Sequence, residues 1–447
     1  MPRSKVVVVV SLFTLLTAGS ALAGQVAQSQ ATTGARKNLT LERLYQYPRL
    51  EGTPPVRAKW SRDSRKLAFL WNDKGYPFRD LWVYDVASQK LTRLTDLEQP
   101  RDLWTESEAE KDSKLKKYLP PETGLMDFEW APDSTRLAFA FRGELYLVAA
   151  EPAQGGLTRL TKTKEAEAQP KFSPDSTRLL FTRGSNLWVF DLTTGQMTQL
   201  TTDGTAELLN TGSPSWSPDG KWLSFVQSNR KGVPMRSIPN YAGREVSVRK
   251  QPRTFAKDET PPVRLGVVSA AGGEVRWLTE AKAEYYRDIQ WSPARRLAVL
   301  RREENLKKQH IDIIDFDQSE VRVKRIYSED DPAWLCALCN FVEWSPDGKT
   351  ILFTSERDGW NHLYLLRVEE SASAATNAPV QLTCGAWEVD TGYRAPADLR
   401  PRFSKDGKKI FFTSTAVDAS ERHLFVVPVS GGELQRLTTR KGYNAAV

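Results

Sequence analysis

The sequence predicts an all-β fold, a β-propeller of four-stranded blades, and three observations predict it. An aromatic residue, a Ser or Ala and a polar turn recur in that order seven times. Each copy runs on into short hydrophobic stretches of strand length, and six of the seven then reach a Leu-Thr pair. The copies start at Trp60-Ser61-Arg62-Asp63, Trp130-Ala131-Pro132-Asp133, Phe172-Ser173-Pro174-Asp175, Trp216-Ser217-Pro218-Asp219-Gly220, Trp291-Ser292-Pro293, Trp344-Ser345-Pro346-Asp347-Gly348 and Phe403-Ser404-Lys405-Asp406-Gly407. Most starts lie 42 to 59 residues apart, the length of one blade.

In the Ser-Pro-Asp-Gly turn, Pro presets φ for the first corner, Asp caps the turn through its side chain, and Gly takes conformations that other residues resist. The runs after the turns are LAFLW, LAFAF, LLFT, LSFV, LAVL, ILFT and IFFT. Second runs follow, such as LWVYD at 81–85, LWVFD at 187–191, IDIID at 311–315 and LFVV at 424–427. Runs of this kind read as half-buried antiparallel strands. Asp358-Gly359, between 351–355 and 362–366, reads as a hairpin turn because Gly supplies the positive φ. The closing pairs are Leu94-Thr95, Leu160-Thr161, Leu200-Thr201, Leu278-Thr279, Leu382-Thr383 and Leu437-Thr438, with Ile326-Tyr327 in the fifth copy. One such sheet cannot bury both faces alone, so the copies must pack radially around an axis.

Two intervals are longer, at 70 and 75 residues. The first holds the polar stretch 106–118, expected as a short surface helix. The second holds the Pro- and Arg-rich stretch 229–262, expected to project from one rim. Rims accept insertions, so loop growth is the ordinary reading and contact with a partner or substrate the sharper one.

Residues 1–23 have the layout of a secretory signal, with Arg3 and Lys5, an apolar run at 6–16, and Ala21-Leu22-Ala23 before Gly24. That run is too short to span a membrane. The expectation is therefore a periplasmic or secreted protein with no membrane insertion after cleavage, a linker at 24–38 and the propeller over 39–447. The formal charge of +8, or +6 without Arg3 and Lys5, is mild and interleaved, which argues against a nucleic-acid partner.

Cys336-Ala337-Leu338-Cys339 has the spacing of a zinc or redox motif. No second CxxC accompanies it, His310, His362 and His423 are scattered, and a strand-like run follows where a redox motif would open a helix. A local disulfide between Cys336 and Cys339, or two unpaired thiols, is expected instead, with no metal and no cofactor.

Ser355-Glu356-Arg357-Asp358-Gly359-Trp360-Asn361-His362-Leu363-Tyr364 resembles a signature of the N-terminal β-propeller of dipeptidyl peptidase IV, in the prolyl oligopeptidase (S9) family. The elements Gln381-Leu382-Thr383, Trp387-Glu388-Val389, Phe412-Thr413-Ser414-Thr415 and Glu421-Arg422-His423-Leu424-Phe425 match in order. Thr40-Leu41-Glu42-Arg43 with Leu50-Glu51-Gly52, and Arg253-Thr254-Phe255 with Pro261-Pro262-Val263-Arg264-Leu265, are similar at lower specificity. The likeness spans roughly 39–445.

The resemblance implies a non-catalytic propeller that gates peptide access to an α/β-hydrolase domain, here lacking or separate, and a peptide or protein ligand. No Gly-x-Ser-x-Gly elbow occurs in the sequence, and no catalytic residue is assigned. The histidines, and Glu356, Arg357 and Asp358 as turn and rim residues, are expected to be structural. The resemblance also implies paired glutamates before a Trp-Ser-Pro, but 205–210 carries Glu207 alone, which puts removal of N-terminal dipeptides in doubt. The family ring has eight blades, whereas seven copies are recognisable, with Gly442-Tyr443-Asn444 placed like the lead-in to an eighth. The turns and Leu-Thr elements also resemble the TolB propeller, a periplasmic protein-binding module, which is the alternative reading.

Overall fold

The computed structural model describes residues 39–45, 47–97, 124–241, 246–255, 257–316, 320–336, 339–368, 378–391 and 400–444. The expected signal, linker and 106–118 helix lie outside them. A small unit comprises the chain up to Thr53 with Asp73–Tyr76. Its short helix Leu41–Tyr45 opens with the Thr40 hydroxyl accepting the Arg43 N–H at 3.2 Å, and Arg49 N–H donates to the Gly75 carbonyl at 3.0 Å.

The second unit is a β-propeller of seven blades, at 56–93, 129–159, 167–199, 208–277, 284–330, 342–381 and 389–436. Every blade is antiparallel, and each of its four strands pairs with the next. In blade seven the first strand comes in two pieces, Val389–Asp390 and Arg402–Phe403, both paired with Lys409–Ser414. Gly442-Tyr443-Asn444 pairs with the rim of blade seven, with Arg422 N–H donating to the Gly442 carbonyl at 3.0 Å and Asn444 N–H to the Arg422 carbonyl at 2.9 Å.

The core lies between blades. Six apolar clusters each join two successive blades, as where Phe353 and Tyr364 of blade six pack with Ile311 and Ile313 of blade five. This is why second strands such as Thr350–Ser355 are buried almost throughout and read as continuous apolar runs.

Three small devices repeat. In the opening turn, the Ser hydroxyl donates to the Asp carboxylate and accepts a backbone N–H five residues on, as in Ser345–Asp347 at 2.6 Å and Thr350 N–H at 2.9 Å. The turn's last residue has positive φ whether it is Gly348 or Gly407, or the less tolerant Ser64, Ser134, Ser176 or Arg295. In the closing pair, the Thr hydroxyl accepts the N–H of the Leu that follows the first residue of the third strand. Thr95 does so for Leu81, Thr161 for Leu145, Thr201 for Leu187 and Thr383 for Leu363, at 2.9 to 3.0 Å. Between blades, the indole N–H of Trp130 reaches the Lys59 carbonyl and that of Trp216 the Lys171 carbonyl, at 2.9 and 3.1 Å. Arg136, Arg178 and Arg296 donate to backbone carbonyls in the next blade's turn at 2.8 to 3.0 Å.

The 229–262 excursion is more than a loop. Met235–Asn240 and Ser247–Pro252 pair as a two-stranded ribbon, while the flanking strands Trp222–Asn229 and Val263–Ser269 pair directly with each other. Pro239 and Pro252 disguise the ribbon in the sequence, because Pro is unfavourable within strands.

Candidate functional site

Antiparallel order dictates which loops share an end. Turns between second and third strands lie at the same end of each blade as the connections to the next blade, and the Ser–Asp turns lie at the other. The Ser–Asp end repeats one design. The opposite end differs from blade to blade, and there charged groups are drawn inside the protein.

The densest such group joins blades five and six. Arg302 and Gln309 are opposite partners in blade five's ladder, and both are buried, Arg302 at 0 % exposure. Arg302 donates to the carbonyls of Leu335 and Cys336 and, at 2.8 Å, to Gln309 Oε1. Gln309 passes the bonding on to Glu329 Oε2 at 2.6 Å, and Asn340 Nδ2 donates to Gln309 Oε1 at 2.6 Å. Glu329 accepts from Ser355 of blade six and from the Tyr327 hydroxyl. Burial pulls the Arg302 guanidinium down to about 10, with Arg287 reinforcing the shift. Burial pushes the Glu329 and Glu356 carboxyls up, partly offset by their hydrogen bonds. The Tyr364 hydroxyl is raised to about 12 by burial and by the charge of Asp358. A cluster of shifted groups at a variable rim is a candidate site on physical grounds.

The signature turn frames this cluster. Its hairpin pairs Ser355 with His362, and Gly359 has φ +95°. Asp358 is exposed as expected of a rim residue and its neighbour Trp360 is exposed too, but Glu356 turns half-inward and accepts the Cys336 N–H at 3.2 Å. The Arg357 guanidinium lies over the rings of Tyr327 and Tyr364, 5.2 and 4.5 Å from their centroids. Cys336 and Cys339 form a disulfide with Cα atoms 5.5 Å apart, and Cys384 is free and exposed.

The histidines do not converge. His362 lies between the Thr383 hydroxyl and the Gly385 carbonyl, at 3.1 and 3.0 Å. His423 bridges Thr438 and Glu421, and His310 bridges Ser328 and Glu303. They hold the rung position that Asp80, Glu144 and Asn186 hold in the first three blades. Ser328 thus supplies in blade five the hydroxyl that Thr supplies in the other blades, while the Tyr327 hydroxyl turns to Glu329. Glu207 is exposed on a turn capped by Thr205.

A second charged group gathers at the first strands of blades one to three. Lys59 Nζ lies 2.9 Å from Asp127 and 3.9 Å from Glu129. Desolvation raises the Glu129 carboxyl and lowers the Lys171 ammonium, each opposed by attraction between the two. Arg400 pairs with the buried Asp288 at 3.0 Å, tying the approach to blade seven to blade five.

Sequence reading missed Arg302, Glu329 and Asp288. A charged residue inside an apolar strand, as Arg302 is in LAVLRRE, was the available signal.

Residues 151–447 match the family model described as Dipeptidyl peptidase IV (DPP IV) N-terminal region. A Neosartorya fischeri protein named Probable dipeptidyl peptidase 4 is 27% identical over 287 residues, which is 58% of this chain and 35% of that one. A Talaromyces marneffei protein named Probable dipeptidyl-aminopeptidase B is 26% identical over 321 residues, covering 61% and 34%. The crystal structure of Porphyromonas gingivalis dipeptidyl peptidase 4 shares the fold with a TM-score of 0.66 at 18% identity, over 93% of this chain and 57% of that one. The chain spans about a third of the length of the curated relatives it matches.

Proposed function

Because the chain belongs to the dipeptidyl peptidase IV N-terminal-region family, we propose that it is the peptide-access domain of an S9-type serine peptidase. The hydrolytic chemistry would come from an α/β-hydrolase domain. The family match over 151–447 carries this reading, and the contrast between the two ends of the blades supports it. An end rebuilt blade by blade, with Trp360 and Glu207 exposed on it, is where a ligand is selected, while the uniform Ser–Asp end is scaffold. The three histidines brace three different blades, each at the start of a third strand or beside it, which suits a repeated structural rung.

Sequencing the gene beyond codon 447 tests the assignment. An α/β-hydrolase with a Gly-x-Ser-x-Gly elbow, in frame or one shift away, supports it; an unrelated neighbouring gene with no such domain supplied separately overturns it. In the joined protein, Trp360→Ala should raise KM for peptide substrates with kcat retained. The chain alone should take no fluorophosphonate label. Export is part of the proposal, supported by the signal-like residues 1–23 and by the disulfide. N-terminal sequencing should find mature protein starting at Gly24, and a cytoplasmic chain retaining residues 1–23 would refute it.

A further inference from the structure

Cys336, Cys339 and Glu356 each offer one ligand atom, and these three atoms all lie within 4.8 Å of one another. The three side chains are half-buried. Glu356 comes from the signature turn, twenty positions beyond Cys336 in sequence, and the Cys336 N–H holds its carboxylate in place at 3.2 Å. The cysteine loop is itself clamped. Arg302 donates to the carbonyls of Leu335 and Cys336 from below, and the Thr354 hydroxyl donates to the Cys339 carbonyl at 3.0 Å. Glu329 and Glu388 add negative charge felt at Glu356.

Two thiolates and one carboxylate are a donor set that suits zinc, with metal–ligand bonds of about 2.0–2.3 Å and one tetrahedral position left open. Ligand atoms around such an ion stand roughly 3.5 Å apart, so the two sulfurs, bonded to each other in this structure, must part on reduction before an ion can enter between them and Glu356. CxxC gives two ligands from one loop, and the fold brings the third.

We propose that in the dithiol state Cys336, Cys339 and Glu356 bind one thiophilic divalent cation of the zinc class. A thiol reductant supplies two electrons and two protons to the Cys336–Cys339 bond, yielding two thiols, and itself becomes a disulfide. The cation then binds both sulfurs as thiolates, and their two protons pass to solvent. Disulfide and metal use the same sulfur atoms, so each state excludes the other. Either state ties the connection between blades five and six, and the metal state adds a direct bond to the Glu356 carboxylate that the Cys336 N–H already holds.

The test uses the full chain carrying Cys384→Ser, reduced with a phosphine, desalted without oxygen and titrated with cobalt(II) and then zinc(II). One cobalt per chain should bind with a thiolate-to-metal charge-transfer band, and zinc should displace it. The oxidised chain and the Cys336→Ser/Cys339→Ser variant should show no band. Glu356→Gln should weaken zinc binding at least about tenfold, since even outer-shell losses cost that much. A reduced chain that binds no cobalt, or binding that survives loss of both cysteines, would overturn the proposal. Unchanged affinity in Glu356→Gln would remove the third ligand and with it the site as described. Circular dichroism follows each variant, and the reduced parent gives the deciding spectrum even where a variant fails to fold.

Discussion

Trp344 donates its indole N–H to the Gln290 carbonyl, 3.1 Å away, and so hydrogen-bonds blade six to blade five. The same ring lies under the Arg296 guanidinium at 5.3 Å. Trp344→Phe keeps most of the apolar contact and loses one hydrogen bond, which should cost about 1 kcal/mol. Trp344→Ala should cost roughly 3–5 kcal/mol. Urea unfolding measures both, and a Phe variant as stable as the parent would show that the indole N–H contributes nothing.

Thr383 accepts the Leu363 N–H at 3.0 Å and meets His362 Nδ1 at 3.1 Å, all three groups being buried. Thr383→Val leaves a buried donor unsatisfied and should cost about 1–3 kcal/mol. Thr383→Ser retains the hydroxyl and should stay within about 1 kcal/mol of the parent. Thermal melting ranks the two.

Gly348 has φ +68°, and an added Cβ would meet only Pro293 Cδ at an ordinary 3.5 Å. Gly348→Ala should therefore cost about 1 kcal/mol through backbone strain alone. Ser64 occupies the same turn position at φ 59°. Ser64→Gly relieves its strain but loosens the unfolded chain, so the net gain should be no more than about 1 kcal/mol. Opposite signs in the unfolding midpoints are the expected result.

Acid should loosen the Ser–Asp turns. The Ser345 hydroxyl and Lys349 N–H hold the Asp347 carboxyl below its ordinary value of 3.8, and the Ser404 hydroxyl and Lys408 N–H do the same for Asp406. A carboxyl that ionises more readily when folded stabilises the protein above its unfolded pKa. That contribution disappears as pH falls through the lower folded value. The Asp347→Asn/Asp406→Asn variant should be weaker at neutral pH yet lose less than the parent as pH drops below about 4. Parallel acid profiles would contradict the argument.

Arg302 is charged, wholly buried and bonded through Gln309 to Glu329. Arg302→Met strands that carboxylate and should cost about 3–5 kcal/mol. Adding Glu329→Gln should recover part of the loss, giving a coupling energy of about 1 kcal/mol or more in the double-mutant cycle. Strict additivity would mean that the two residues act independently.

These residues also show where sequence was readable. The turns and runs are local signals repeated seven times, with the Leu-Thr pair in six of the copies, and each maps onto a blade because strand periodicity and turn chemistry need only neighbours in sequence. Ser355 to His362 was visible as a hairpin for the same reason. The Arg302–Gln309–Glu329–Ser355 chain was not, since it depends on ladder register and on two blades meeting. Glu356 looked like a rim residue because nothing in a linear reading brings it to Cys336. The 235–252 ribbon was hidden by its prolines, which local propensity counts against a strand.

Ser228 and Val263 are opposite partners in blade four, and beyond them Asn229 N–H still donates to the Pro262 carbonyl at 3.0 Å. The ladder is thus already closed where the ribbon departs. Residues 230–261 form a pendant whose stem is two adjacent backbone positions, so a tight two-residue turn could replace the whole of it with every rung of the blade preserved. The same stem would accept a foreign module spliced in at that point. Evolution, or an engineer, can change what hangs there while keeping the ladder of blade four, giving up the Thr260 N–H bond to Glu304 of blade five.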